Sequence, residues 1–527
     1  MKKLMLLIAV VLLCTLNAQT IIEVPVLDPA AGEYLNTYME NNPADRYILQ
    51  RGEVYFVDAT IMPGGSIHIE GKAEPADATP AIIAPMLRGD GTIANTMFNA
   101  SGDFTLKNVY VISAGPNGQT QQQYVAEVST DEARVTVDNC IFEANNEWGI
   151  IVYGKYSDCF ITNSVFRNNI QVGNYYCGRI LWTSAATDTV EMVNNTCINS
   201  TAYFFTDTNH LTRYLRIENN TLANILYTPF FLHQQINTDF KNNVFYNCHF
   251  MGQSNLEYLG GWDDMDTQHA AIISVDTLNA TSDSVWNADN EGTWTEADRH
   301  VHVMNNVFGW DQVFHDFWDS ADTLHGGYFM NARTEAMFAD DANYPNLVAE
   351  NNIERVPTFA NVPSTDAMLN ECNAFRQPGG PENAYWGFGN DFGQFSWPLP
   401  EDLSYTDADL MTHGTNGKPV GDLRWFPGHV AIDNNEKIAS TFALEQNYPN
   451  PFNPSTVIPF SIEKNSAVTL SIFNMLGQEV ARVVNNKNMS AGTHKVNFDA
   501  SHLSSGVYFY QLQNEGMTIT QKMVFMK

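Results

Sequence analysis

The sequence predicts an all-β chain, a parallel β-helix solenoid followed by a small β-sandwich, on three observations. Charged residues are only 16% of the 527 while aromatics reach 12%. Asn, Thr, Ser and Gln stand in place of the Glu and Lys that helices favour. A strand–Asn–strand phrase recurs along most of the chain. The last segment, about 85 residues, opens with clustered prolines and continues as alternating runs.

The N-terminus sets the compartment. Lys2 and Lys3 precede an apolar run from Leu4 to Leu13 and a polar stretch ending at Ala18. This is the pattern of a secretory signal peptide over residues 1–18, with cleavage expected after Ala18. The run is too short to span a bilayer, and no later segment is apolar enough to do so. Cys14 follows Leu13 rather than a small residue, which argues against a lipid anchor. Loss of the two lysines takes the net charge from −32 to −34. A charge that negative disfavours nucleic acid and anionic lipid as partners. Six cysteines follow the leader: Cys140, Cys159, Cys177, Cys197, Cys248 and Cys372. Their spacing fits no zinc site, so buried thiols are expected, although the compartment permits disulfides.

The repeat comes next. It reads Leu106-Lys107-Asn108-Val109-Tyr110, then Val137-Asp138-Asn139-Cys140-Ile141-Phe142, then Ile161-Thr162-Asn163-Ser164-Val165-Phe166. Later copies carry Asn194-Asn195, Asn219-Asn220, Asn242-Asn243, Asn305-Asn306 and Asn351-Asn352. The aligned Asn residues step by 31, 24, 31, 25, 23, 63 and 46. Asn tolerates the left-handed conformation, so it marks a sharp corner. Stacked at one corner of successive coils, such side chains can bond in a ladder. The two long steps predict coils with large insertions. Upstream, Ala30 to Glu40 has helix-compatible spacing and is expected to cap the first coil.

These phrases resemble those of the pectin-lyase-like, right-handed parallel β-helix proteins, especially the chondroitinase-B-like surface proteins of the Bacteroidetes. Val420-Gly421-Asp422-Leu423-Arg424-Trp425 is similar to the Gly-Asp-Pro-Arg-Trp phrase that closes such domains, with Leu423 in place of Pro. The C-terminal segment resembles the type IX secretion sorting domain of type A, an immunoglobulin-like β-sandwich. Tyr448-Pro449-Asn450-Pro451-Phe452-Asn453-Pro454, Phe473-Asn474-Met475-Leu476-Gly477-Gln478 and Ser505-Gly506-Val507-Tyr508-Phe509 carry that likeness. The expected organisation is a signal peptide over 1–18, a β-helix with its cap over 19–432, a linker over 433–441 and a sorting domain over 442–527. The resemblance implies passage through the periplasm and the type IX machinery to the cell surface or the medium.

Chemistry is expected where a sheet face meets long loops. Counting on from each Asn corner aligns Tyr153, Thr183, Thr206, His233, Gly252 and His315 at strand ends as a column open to water. The proposed proton-transfer groups are His233 and His315, with Arg179 as a charge-stabilising alternative. Tyr153, Thr183, Thr206, Asp207, Trp262, Asp316 and Trp318 are the expected substrate-binding residues, aromatic faces being platforms for sugar rings. Asn287, Asp289, Glu291 and Asp298 have an EF-hand-like spacing, which makes Asp289, Glu291 and Asp298 candidate Ca²⁺ ligands. The resemblance implies extracellular polysaccharide as the partner, met by a monomer. Whether the chain is a lyase, a glycoside hydrolase or a non-catalytic binder stays open, as does a structural or adhesive role.

Overall fold

The computed structural model describes residues 19–74, 78–115, 124–144, 148–170, 177–207, 210–232, 234–254, 271–278, 294–320, 324–363, 365–376 and 397–426. Toward the C-terminus it describes 443–444, 447, 452–462, 466–474, 478–489, 492–501, 503–514 and 517–527. The chain divides into two compact units, Met1–His429 and Val430–Lys527.

The first unit is a parallel β-helix with three sheets. An eleven-stranded sheet runs from Ile21–Glu23 to Leu347–Glu350, a ten-stranded sheet from Val54–Val57 to Ile353–Glu354, and a six-stranded sheet from Phe98–Ala100 to Phe230–Phe231. The chain visits them in turn, so each strand pairs in parallel with its counterpart one coil on, as Ser157–Thr162 does with Thr187–Val193. Inward side chains stack in layers. Ile150, Leu181, Phe205 and Phe230 are in register in the third sheet and all buried. The expected cap is present as a short turn at Pro29–Ala31 and a helix at Leu35–Asn41, which buries Leu35 and Met39.

The corner between the first and second sheets explains the repeat. Asn108, Asn139, Asn163, Asn194, Asn219, Asn242, Asn305 and Asn351 all hold φ between 51° and 58°. That left-handed kink turns the chain from one sheet to the next. The second Asn of each pair does different work. The Nδ2 groups of Asn195, Asn220, Asn243 and Asn306 donate to the Oδ1 of Asn220, Asn243, Asn306 and Asn352, at 3.0, 3.0, 2.9 and 2.9 Å. Each also donates to a backbone carbonyl inside the coil, as Asn220 does to Met192 at 2.8 Å. A further ladder closes the far end of the second sheet. There Asn199, Asn224 and Asn247 donate to Asn168, Asn199 and Asn224 at 3.2, 3.1 and 3.2 Å, again with positive φ.

A C-terminal strap of this unit, residues 397–426, lies over the outer face of the second sheet. Trp397 and Leu399 pack on Ile82, Tyr110, Ile141 and Val165. Glu401 accepts from buried Arg167 Nε at 2.8 Å, and the other side of that guanidinium meets Glu143 at 2.5 Å. Asp422 accepts from Thr196 Oγ1 at 2.6 Å, Leu423 N donates to Asn194 Oδ1 at 2.7 Å, and the Arg424 guanidinium reaches the Asn163 carbonyl. The Val420–Trp425 phrase is therefore the clasp. Gly421 sits at φ 86°, and a Cβ there would lie 2.5 Å from Thr221 Oγ1.

The second unit is a β-sandwich of two antiparallel sheets. Ala443–Leu444, Ser455–Ile462 and Gly492–Asp499 form one; Glu479–Met489, Ser466–Asn474, Gly506–Asn514 and Met517–Phe525 form the other. Their inner faces share one core containing Ile458, Phe460, Leu470, Ile472, Tyr510 and Phe525.

Candidate functional site

With the second sheet covered by the strap, the outer faces of the first and third sheets remain. On the first sheet several ionisable side chains neutralise one another. Arg216 pairs with Glu218 at 2.7 Å and Glu191 at 3.6 Å, and Asp239 accepts from Lys241 at 2.7 Å and from His302 Nδ1 at 3.0 Å. Burial raises the Asp239 carboxyl, but the His302 and Lys241 contacts outweigh it and hold the group below its usual range.

The third side carries an aromatic stripe. The Tyr153 hydroxyl lies 2.8 Å from that of Tyr124, whose ring stacks on Trp148 with centroids 5.1 Å apart. Trp148 meets Trp182 edge-on at 5.4 Å, and the Arg179 guanidinium lies over Trp148, Trp182 and Tyr203 at 5.6, 4.9 and 5.2 Å. Tyr203 in turn stacks on Phe231 at 5.6 Å. The stripe arises because Tyr124, Trp148 and Arg179 are in register on adjacent strands, and so are Trp182, Thr206 and Phe231. Tyr153 is 39% exposed, and Tyr124, Trp148, Arg179, Trp182 and Phe231 are half-buried. Burial and the bond to Tyr153 push the Tyr124 hydroxyl well above its ordinary pKa, so it stays a neutral hydrogen-bonding group.

The expected column is corrected in phase. Thr183 pairs with Val152, not Tyr153, while Thr206 pairs with Trp182. Thr183, Thr206 and Asp207 are fully buried and do not face water. Thr183 has the inward phase of Val152, since a slip of one residue moves a side chain to the other face of a sheet, whereas Thr206 has the outward phase of Trp182 and Phe231 and is buried there. Asp207 instead holds the corner between the third and first sheets, accepting from Gln235 Nε2 at 2.5 Å and Thr212 Oγ1 at 3.3 Å. Arg179 and Tyr153 do reach the outer surface. Sequence reasoning missed Tyr124, Trp148, Trp182 and Tyr203 as a group, although aromatics at successive coil positions were a signal.

His315 is also corrected. Val313-Phe314-His315 forms no strand; it lies within the helix Gln312–Trp318, which takes the place of a third-side strand in its coil. His315 stands edge-on to Trp310 and Trp318, at 6.4 and 5.2 Å between centroids. It lines a cleft of about 500 Å³ with Trp318, Tyr328, Glu335 and Glu354. Asp316 points elsewhere and accepts from Gln312 Nε2 at 2.8 Å. His233, Trp262, Asp289 and Glu291 lie outside the described residues. Asp298 is engaged by its own turn, accepting from Thr295 N and Oγ1 at 3.0 and 2.7 Å. Among the described residues, no group of three or more His, Cys, Asp or Glu is placed to hold a metal ion. No described helix is long and apolar enough to cross a membrane.

Residues 446–526 match the family model of the secretion system C-terminal sorting domain. The chain is a type IX secretion cargo. It interacts with that machinery and passes through the periplasm to the cell surface or the secreted space. No curated protein and no solved structure matches it.

Proposed function

We propose that this exported protein binds and processes an extracellular polysaccharide along the third side of its solenoid. The observation that carries the reading is the stripe from Tyr153 to Phe231 with Arg179 at its centre, joined to Phe231 through the buried Tyr203. It crosses five successive third-side segments. At about 4.8 Å per strand these span roughly 19 Å, the scale of an extended polymer rather than a single small molecule. Aromatic rings offer apolar faces to sugar rings, and the guanidinium offers charge to an acidic sugar. Arg179 and His315 are the groups we assign to charge stabilisation and proton transfer. In this reading the solenoid is a pectin-lyase-like β-helix, and the plan is signal peptide 1–18, solenoid 19–432, linker 433–441 and sorting domain 442–527. The mature protein should be screened against a polysaccharide panel by retention, unsaturated-uronate absorbance and reducing ends. A polymer that is retained or cut by wild type, and not by an Arg179→Gln, Trp182→Ala variant, is the expected result. Failure to retain or cut any polymer in a broad panel would refute the reading.

A further inference from the structure

The cleft beside the helix Gln312–Trp318 has a different chemistry from the stripe. Its floor is aromatic: Trp310 and Trp318 are nearly buried, and Tyr328 is 38% exposed at its mouth. The indoles are fixed in place, Trp310 Nε1 donating to the Cys248 carbonyl at 2.6 Å and Trp318 Nε1 to the Phe250 carbonyl at 3.2 Å. Gly326 and Gly327 pass directly against them. A Cβ at Gly326 would lie 2.9 Å from Trp318, and one at Gly327 would lie 2.8 Å from Trp310. The wall is thus built to close on the two rings.

The rim is acidic. Asp319, Glu335 and Glu354 line the cleft from three different elements, and His315 stands edge-on to both indoles. No Lys or Arg lines it among the described residues. The nearest arginines in sequence are committed elsewhere: Arg333 to Asp276 at 3.3 Å, and Arg355 to Asp407 at 2.9 Å. None of the three carboxylates has an ion-pair partner among the described residues, and they are not grouped to chelate a metal ion. Unpaired carboxylates beside an exposed aromatic ring favour an organic cation, drawn by charge to the rim and by the face of Tyr328 at the mouth. The chain's net charge of −32 adds long-range attraction for a polycation.

We propose that this cleft binds the protonated amine of an unacetylated amino sugar within an extracellular polysaccharide. The ammonium sits at the rim of Asp319, Glu335 and Glu354, and the sugar ring lies against the exposed ring of Tyr328. This rests on the polysaccharide reading and names one sugar that the polymer carries.

The test is calorimetric titration of the mature full-length protein with a β-1,4-linked glucosamine hexamer, its N-acetylated counterpart, and spermidine. The companion variant is Asp319→Asn, Glu335→Gln, Glu354→Gln, which keeps shape and removes charge at exposed positions; an unchanged thermal midpoint confirms its fold. The glucosamine hexamer should bind wild type and weaken by about tenfold or more in the variant, since three exposed charges each contribute a modest factor. The N-acetylated hexamer should show no such loss. Equal binding of the glucosamine hexamer to variant and wild type would overturn the site. Spermidine binding as tightly as the hexamer would overturn the assignment to a sugar. The stripe reading fails separately, if Arg179→Gln, Trp182→Ala leaves polymer retention unchanged.

Discussion

Asn220 is the sharpest test of how the solenoid is held. It is fully buried within the ladder. Its Nδ2 donates to Met192 O at 2.8 Å and to Asn243 Oδ1 at 3.0 Å, and its Oδ1 accepts from Asn195 N and Nδ2 at 2.9 and 3.0 Å. Leucine has the same branched skeleton with methyl groups in place of the amide oxygen and nitrogen, so Asn220→Leu removes these bonds without leaving a cavity. Two of the partners keep other bonds: Asn243 Oδ1 still accepts from Asn220 N, and Asn195 Nδ2 still donates to Ile161 O. Met192 O and Asn195 N lose the partner the side chain gave them. Met192 O, a carbonyl within a paired strand, loses a bond at about 1 kcal/mol, and the orphaned Asn195 N costs roughly 1–3 kcal/mol, so the variant should lose about 3 kcal/mol. The control is Asn343→Leu, at an exposed turn residue whose side chain bonds only locally to Asp340, where a change within about 0.5 kcal/mol is expected. Urea unfolding followed by far-ultraviolet circular dichroism reads both. Equal midpoints for the two variants would refute the claim that the buried ladder, rather than the kinked corner alone, holds adjacent coils.

Other outcomes follow from the same structure. Deleting residues 446–526 should leave the protein in the periplasm, and surface labelling at the wild-type level would contradict this. All six described cysteines are buried thiols, and burial pushes the Cys140 thiol up to about 12. The native protein should therefore resist a thiol reagent at pH 8, while the unfolded chain reacts readily; fast native labelling would contradict the packing. The Asp239 carboxyl is held below its usual range in the fold, so its stabilisation is present above about pH 4 and lost as the pH falls through the depressed folded value. Asp239→Asn should lower the thermal midpoint at pH 7 and converge with wild type in strong acid; a constant difference at every pH would contradict this. Glu401→Ala should release the strap and destabilise the solenoid by about 2–3 kcal/mol, because it removes the charge-assisted bonds to buried Arg167, which keeps Glu143. A thermal midpoint equal to wild type would contradict that role.

The fold was legible because one physical device, the left-handed Asn corner, recurs with the same flanking strands. The pair Asn219-Asn220 shows how much the phrase carried: one residue bends the chain and the next fills the ladder. The far ladder was not legible. Asn199, Asn224 and Asn247 sit between unlike neighbours, Ile198 and Ser200, Ala223 and Ile225, Tyr246 and Cys248. The candidate site was legible only in part, for a related reason. The turn from the second to the third sheet changes length between coils. Nine residues separate Asn169 from Arg179, but only four separate Ser200 from Phe205. A count begun at the Asn corner therefore loses its phase before the third strand. That is why Thr183 points inward, and Thr206 is buried although it shares the outward phase of Trp182 and Phe231. His315 failed differently, since Gln312 to Trp318 coils into a helix where earlier turns lay down a strand.

The central claim is that the third side of the solenoid is the ligand surface. Affinity electrophoresis in gels cast with the polymers that the panel selects tests it most directly. Wild type should be retarded. Arg179→Gln, Trp182→Ala should run as in a polymer-free gel, with its thermal midpoint close to wild type. A double variant retarded as strongly as wild type would contradict the account.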